Sequence, residues 1–305
     1  MWVYLTRRLV TSFAVLIAIS ILVFALTNLA RDPAIAVAGE GASASDIQQV
    51  RERYGFEQSL PQRYLQWATA AASGDLGISY RQNRPVLNII VERLPVTLML
   101  SSTGLVLALA ISLPLSLLAA RWPGSLLDRA TLWLALVAQS VPSFWLALVL
   151  ISLMSVKWGI LPASGSVSIY HFIMPGIVLA IYAMPPLLRL TRAGLQEVLK
   201  SDYIRTARAK GLPERKVLSK HALRNALVPV VSIAAVQLGY MLGGSVLLET
   251  IFAMNGIGYL AWEAISGADL PVIQAIVLLS AFFYVALSLL ADILNAWLDP
   301  RIRLA

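Results

Sequence analysis

Six apolar stretches, separated by charged or turn-rich intervals, set the pattern of the chain. Leu9 to Ala30 holds 22 residues without a charge, and Leu94 to Ala120 and Ala130 to Val156 hold 27 each. Phe172 to Leu188 holds 17, Asn225 to Leu248 holds 24 and Leu270 to Ala291 holds 22. A helix needs about 20 mostly apolar residues to cross the hydrocarbon core. The pattern therefore predicts an all-α membrane protein with six transmembrane helices and both termini on one side. The fourth stretch is the shortest and spans only by recruiting flanking residues such as Arg189. Pro95, Pro114, Pro142, Pro175, Pro185 and Pro186 lie in or at the edge of these stretches. In a bundle, neighbouring groups take up the carbonyls that proline frees. Arg7 and Arg8 precede the first stretch as they would a signal peptide. Its apolar run is about twice an h-region and ends in no small-residue cleavage site, so a retained anchor is expected.

Composition agrees with this pattern: of 305 residues, 58% are hydrophobic and 13% charged. There is no cysteine, which excludes a disulfide, a thiolate metal site or a cysteine nucleophile. The formal charge of +8 is unevenly placed. With six spans, residues 1–8, 119–129, 189–224 and the tail share one face and carry +11. The opposite face, with residues 31–93, 157–171 and 249–269, carries −2, and Asp292 lies within the last span. The positive-inside rule then puts both termini in the cytoplasm. The expected organisation is an N-terminus and first span over 1–30, an outer cap loop over 31–93, and a five-helix core over 94–305 with an inner loop at 191–224.

Both large loops carry helical patterns. In the outer one, Ser43 or Ser45 caps a helix through Tyr54 that Gly55 ends, and Pro61 opens a second with Tyr64, Leu65, Trp67 and Ala68 that closes at Gly74. In the inner one, Thr191 to Lys200 continues the fourth span, and Asp202 precedes a short basic helix. Gly211 suits the left-handed position that ends a helix, and Pro213 suits the first turn of the next, which runs through Lys216, Leu218 and Ala222 towards Asn225. Two short basic helices at a Gly-Leu-Pro corner result. A DNA-binding helix-turn-helix needs a free recognition helix, whereas both ends here are tied to spans. A passive patch on anionic lipid is a second reading. A docking element for a cytoplasmic protein fits best, because Ile204, Ala207, Leu212, Val217 and Leu218 interleave with the charges.

At these residues the sequence resembles the permease subunits of bacterial ABC importers of the peptide/nickel class. The motifs run in order along the chain: Gly74-Asp75-Leu76-Gly77, Arg84-Pro85-Val86, Pro95-Val96-Thr97-Leu98, Val141-Pro142-Ser143-Phe144-Trp145 and Leu161-Pro162-Ala163-Ser164-Gly165. Then come residues 202–211, His221-Ala222-Leu223-Arg224-Asn225-Ala226 and Leu298-Asp299-Pro300-Arg301-Ile302-Arg303. The resemblance implies the type I importer permease fold, with cytoplasmic coupling helices seated in an ATPase groove. Arg205-Thr206-Ala207 stands where the general coupling motif has Glu-Ala-Ala, so only Ala207 and Gly211 match it, and the stretch from Gly211 to Pro229 is longer than the general form. Both departures resemble the peptide/nickel branch. Tyr203, Ile204, Ala207, Gly211, Leu212, Val217 and Leu218 are the expected ATPase-coupling residues.

No Gly-x-x-x-x-Gly-Lys-Ser/Thr loop occurs in the chain, so no catalytic residue and no bound cofactor is expected. The resemblance implies partners: two ATPase subunits using ATP and Mg, a second homologous permease, a periplasmic substrate-binding protein and membrane lipid, with no nucleic acid. The bacterial inner membrane is the implied location. Ala235, Gly239 and Gly243 recur at i, i+4 and i+8, and with Gln237 and Tyr240 they mark span five as a translocation path or permease interface. Asn255, Gly256 and Gly258 introduce a short helix through Ile265, which the resemblance makes an outer gate. His171 and His221 fall on opposite faces, so no metal site is expected. Asp292 is expected to pair with a basic inner-loop residue. The alternative function, an ion-coupled secondary transporter, would place charges near midplane and show internal repeats. Substrate candidates are di- or oligopeptides, glutathione-like peptides, opines, or nickel and metal chelates.

Overall fold

With no water in the membrane interior, a backbone satisfies its own N–H and C=O groups by winding into helix, and nearly every apolar stretch here does so. A computed structural model describes residues 2–30, 32–39, 41–53 and 55–298. Helix α1 covers Trp2–Ala30, followed by α2 (Pro33–Ala38), α3 (Ala44–Arg53) and α4 (Leu60–Ala72). Next are α5 (Val86–Arg121), α6 (Leu126–Ser140), α7 (Ser143–Leu150) and α8 (Ile173–Leu199). Then come α9 (Asp202–Ala209), α10 (Glu214–Lys216), α11 (Leu223–Gly244), α12 (Val246–Ile251), α13 (Ile257–Ser266) and α14 (Leu270–Leu298). Among the described residues the only β-pairing is an isolated bridge between Ile78 and Pro85.

Five segments are long and apolar enough to cross a membrane: Thr6–Leu29, Val86–Arg121, Ile169–Leu199, Asn225–Gly243 and Leu270–Asn295. The expected third span is not one rod. α6 and α7 meet at 95°, so a sixth span exists only if this bent pair is counted as one. The break falls at Val141-Pro142, where proline cannot donate to a helix ladder, and the Tyr182 hydroxyl donates to the Val141 carbonyl. α7 continues into π-helical turns over Ile151–Lys157.

Other boundaries also differ from expectation. α5 begins at Val86, so the first large loop ends about two turns before residue 93, and Glu92 and Arg93 lie inside a helix. The short fourth stretch is carried to Leu199 by a helix that accommodates Pro185, Pro186, Arg189 and Arg192. The fifth breaks after Gly244 and restarts as α12, so Asn225–Leu248 is not continuous. Tyr54, expected in a helix, and the expected Asp299–Arg303 motif lie outside the described residues.

The chain forms two compact units, Leu98–Met254 with the segment from Ala286 onward, and Trp2–Thr97 with Asn255–Val285. This differs from the expected division at residue 94, because α13 and the first half of α14 group with the N-terminal part. In the first unit α8 is the buried helix, with Val178, Leu187, Leu188 and Leu195 fully inaccessible. It packs on α6, α7 and α11. A Cβ on Gly104 would lie 2.7 Å from the Leu179 Cβ, and one on Gly176 would lie 2.8 Å from the Thr103 Cγ2. Glycine at these two positions lets α5 and α8 approach closely.

The core of the second unit joins Val86, Ile89 and Ile90 of α5 to Ile257, Leu260 and Ala264 of α13 and to Val272, Ala275 and Ile276 of α14. α3 starts as the sequence predicts: the Ser43 Oγ accepts from the Asp46 N–H at 3.2 Å, and the Ser43 N–H donates back to the Asp46 carboxylate at 3.1 Å. α4 crosses α1, where Phe24 stacks on Tyr64 and Trp67 with both centroid separations 5.6 Å. The Tyr64 and Ser20 hydroxyls share a hydrogen bond of 2.9 Å. These contacts hold α4 against the second half of α1.

Candidate functional site: the basic corner, a small cavity and the α13 turn

The corner between α8 and α11 is built from backbone chemistry outward. α9 begins after Ser201 and ends at Lys210. Gly211 follows with φ +72°, the left-handed conformation that glycine adopts without steric cost. The Gly211 N–H donates to the Arg208 carbonyl at 2.9 Å and the Leu212 N–H to the Ala207 carbonyl at 3.3 Å. This pair of bonds is a Schellman motif, and it fixes the direction in which the chain leaves the helix. Pro213 stands at the N-cap of α10, one residue before the first turn expected for it. The second corner helix is not separate, however. α10 passes through π-helical turns at Val217–Ala222 directly into α11, so the corner's second arm is the extended foot of the fifth span.

The expected coupling residues divide into two groups. Ile204 and Val217 are fully buried, Ala207 and Leu218 are buried, and Leu212 is half-buried. Ile204, Ala207 and Val217 join Ala120, Leu195, Ala222 and Ala226 in one apolar cluster, with Leu212 packed against it. These side chains hold the corner onto α5, α8 and α11. The exposed surface belongs instead to Tyr203, Arg205, Thr206, Arg208, Lys210, Gly211 and Arg215. Tyr203 is held in place because its hydroxyl accepts from the Asn225 Nδ2 at 2.7 Å.

Electrostatics lock the turn. Arg208 reaches across Gly-Leu-Pro to Glu214 with two bonds, 2.8 Å from Nη2 and 3.2 Å from Nε. The hydrogen bond from Arg208 holds the Glu214 carboxyl below the usual carboxylate range, and the same bond raises the Arg208 guanidinium. A second pair anchors the frame behind the corner. Asp128, 3% exposed, accepts from Arg192, including 2.7 Å from Nη2, and from the Gly124 N–H at 2.9 Å. Sequence reading counted both residues only as loop charges. The signal available was that Asp128 falls three residues after Ser125, in the first turn of a capped helix.

The fifth-span residues do not all meet. Gln237 and Tyr240 line a cavity of about 220 Å³ with Ser143, Tyr182, Met241 and Leu248. Ala235 and Gly239 are half-buried, and Gly243 is exposed with nothing within 4 Å of a Cβ placed there. Within this chain, Gly104 and Gly176 permit the close approach of α5 and α8.

The α13 turn belongs to the second unit. Asn255 is exposed and its Oδ1 accepts from the Arg93 Nη1 at 3.0 Å. Gly256 caps α13, and the Ile257 N–H donates to the Thr97 hydroxyl at 2.8 Å. Gly258 is buried in the first turn. The helix expected through Ile265 is present as Ile257–Ser266. Glu263 also faces Arg93, with 3.8 Å between charged atoms. Behind the turn, buried Asp269 accepts from the Ser79 hydroxyl and from the Tyr80 N–H at 3.0 Å, which ties the 79–84 loop to the start of α14. Among the described residues no cluster of His, Asp or Glu forms a metal site.

A multi-pass helical frame, a basic corner at the foot of one span and a small, mainly apolar cavity with Gln237 and Tyr240 in its wall are in keeping with a membrane-embedded transport subunit. Comparison with known proteins makes this specific. Residues 112–304 match the family described as "binding-protein-dependent transport system inner membrane component", and residues 1–101 match its N-terminal companion. The oligopeptide transport system permease protein AppB of Bacillus subtilis is 39% identical over 312 residues, covering 98% of this chain and 99% of that one. The glutathione transport system permease protein GsiC of Escherichia coli K12 is 38% identical over 301 residues, covering 98% of each. An inward-facing structure of the MetNI methionine ABC transporter superposes with a TM-score of 0.58 at 20% identity, over 69% of this chain and 96% of that one. The chain belongs to the family of inner-membrane permease components of binding-protein-dependent importers. It is a multi-pass protein of the bacterial inner membrane, and the ion-coupled alternative finds no support in these relatives.

Proposed function

We propose that this chain forms one half of the translocation path for peptides, beside a second homologous permease. Two cytoplasmic ATPases drive it, and a periplasmic binding protein delivers substrate. Relatives named for oligopeptide and glutathione transport favour peptide over the nickel or chelate branch. The charge asymmetry of +11 against −2 supports six spans with both termini in the cytoplasm, the bent α6–α7 pair acting as the third. The corner then faces the cytoplasm and α13 faces the periplasm as gate.

The observation that carries this reading is the Gly211 corner. Its apolar residues anchor it to α5, α8 and α11, and its outer surface is mostly basic. A rigid element passes on a push from an ATPase, whereas a loose loop absorbs it. Tyr203, Arg205 and Lys210 are the residues we place against the ATPase, and Ile204, Ala207, Val217 and Leu218 relay the motion into α5, α8 and α11. Gln237 and Tyr240 line the path near the α6–α7 break.

The test is charge reversal, Arg205→Glu with Lys210→Glu, in cells carrying the whole importer. Uptake of a labelled dipeptide and recovery of the ATPase with the purified permease should fall together. Normal uptake with full ATPase recovery would sink the docking role.

A further inference from the structure

A cavity in the second unit has no part in the reading above. It encloses about 490 Å³, and its walls include Phe24 and Asn28 of α1, Arg63 and Trp67 of α4, Asp75, and Gln274 of α14. That is within the size of small-ligand sites, about 300–1,000 Å³.

Its depth follows from α1. The 24-residue apolar segment Thr6–Leu29 is about 36 Å long against a hydrocarbon core of about 30 Å. Asn28 therefore sits at headgroup level. Ser20, which meets the Tyr64 hydroxyl, lies about 12 Å deeper along the helix. The Tyr64 side chain therefore reaches below headgroup level, while Arg63, bonded to Asn28, stays at it, and Leu65 is 62% exposed.

The lining supplies one cation and one anion. Arg63 donates to the Asn28 Oδ1 and its guanidinium stands 4.8 Å from the centre of the Phe56 ring. Partial burial pushes its pKa down. A guanidinium has five N–H donors, so the Asn28 bond leaves most of its capacity for a ligand. Asp75 accepts from the Gly77 N–H at 2.9 Å, and a carboxylate has room for more. Below the cavity, Phe13, Ile17 and Ile21 continue the Phe24 face of α1 towards the membrane interior and are 65%, 40% and 48% exposed.

We infer that this cavity binds the headgroup of a zwitterionic phospholipid of the ethanolamine type, its phosphate on Arg63, its ammonium on Asp75 and its acyl chain along Phe13, Ile17 and Ile21. A free dipeptide also carries one charge of each sign. The headgroup depth and the apolar stripe favour the lipid. The inference needs only that α1 crosses the membrane and holds whichever side the cavity faces.

The test is native mass spectrometry of the full-length chain in detergent, titrated separately with phosphatidylethanolamine, phosphatidylcholine and phosphatidylglycerol. The wild type should retain phosphatidylethanolamine best. Arg63→Gln should weaken that retention about tenfold, the usual scale for a lost charge-assisted bond. Asp75→Asn should abolish the preference for ethanolamine over choline, a change in selectivity that misfolding does not produce. Equal retention of the three lipids by the wild type, or unchanged retention by Arg63→Gln, overturns the site. Displacement of the lipid by a dipeptide or by phosphoethanolamine alone, at equal concentration, also overturns it and reassigns the cavity to a soluble ligand. Dipeptide uptake by the Arg63→Gln importer tests the permease reading separately, since uptake is not expected to depend on this cavity.

Discussion

Removing Asp128 exposes how the frame behind the corner is held. Its carboxylate caps the turn at Gly124, fixes the first turn of α6 and takes both arms of Arg192 from α8. With Asp128 3% and Arg192 20% exposed, little water is available to replace either partner. Breaking such a pair from one side costs about 3–5 kcal/mol, because the other charge is left buried. Asp128→Ala should therefore lower stability by about that amount, and Arg192→Met by a comparable amount, since it strands the more deeply buried charge, Asp128, with the Gly124 N–H as a remaining partner. The double variant removes the stranded charge. Its cost should fall short of the sum of the singles by about 2 kcal/mol, the scale of coupling between residues in one network. The assay is denaturant or thermal unfolding of the purified chain in a fixed detergent, with all four proteins measured together. Additive single costs, within about 0.5 kcal/mol, would refute the claim that the two charges are one structural unit. A coupled pair that nonetheless leaves ATPase recovery intact in the double variant would show that the corner's orientation does not depend on it.

Ile204→Ala empties a fully buried position in the corner cluster and should cost about 2–5 kcal/mol, with the corner becoming sensitive to limited proteolysis while the spans stay protected. Unchanged proteolysis would mean the cluster does not hold the corner. For Glu214 the folded carboxyl titrates below its unfolded value of about 4.3, so its contribution is present above that pH and fades as the pH falls through the folded value. The pair is partly solvated, which limits its worth to about 1 kcal/mol at most. The stability gap between wild type and Glu214→Gln should stay level from neutral pH to about pH 5 and close in stronger acid. A gap that widens in acid contradicts the sign.

What the sequence made legible was whatever rests on local rules. The Ser43 cap, the stop at Gly74, the left-handed Gly211 and the glycine turn into α13 are each decided within a few residues, and each is found; of the six apolar runs, the third and fifth are interrupted. What it hid depends on partners distant in the chain. Pro142 announces a disturbance, but only the Tyr182 hydroxyl, 41 residues beyond Val141, shows what satisfies the Val141 carbonyl at the 95° bend. The close approach of α5 to α8 rests on Gly104 and Gly176, which have no stripe to announce them. The same limit governs the corner. A mixed basic and apolar pattern reads equally as a docking face or as an anchored loop, because periodicity reports that residues are apolar and not what they meet. Here Ile204, Ala207, Val217 and Leu218 meet their own subunit, which moves the surface offered to a motor onto the charged residues between them. That shift changes the experiment: charge reversal at Arg205 and Lys210 probes docking, while a bulky residue at Ala207 probes folding first.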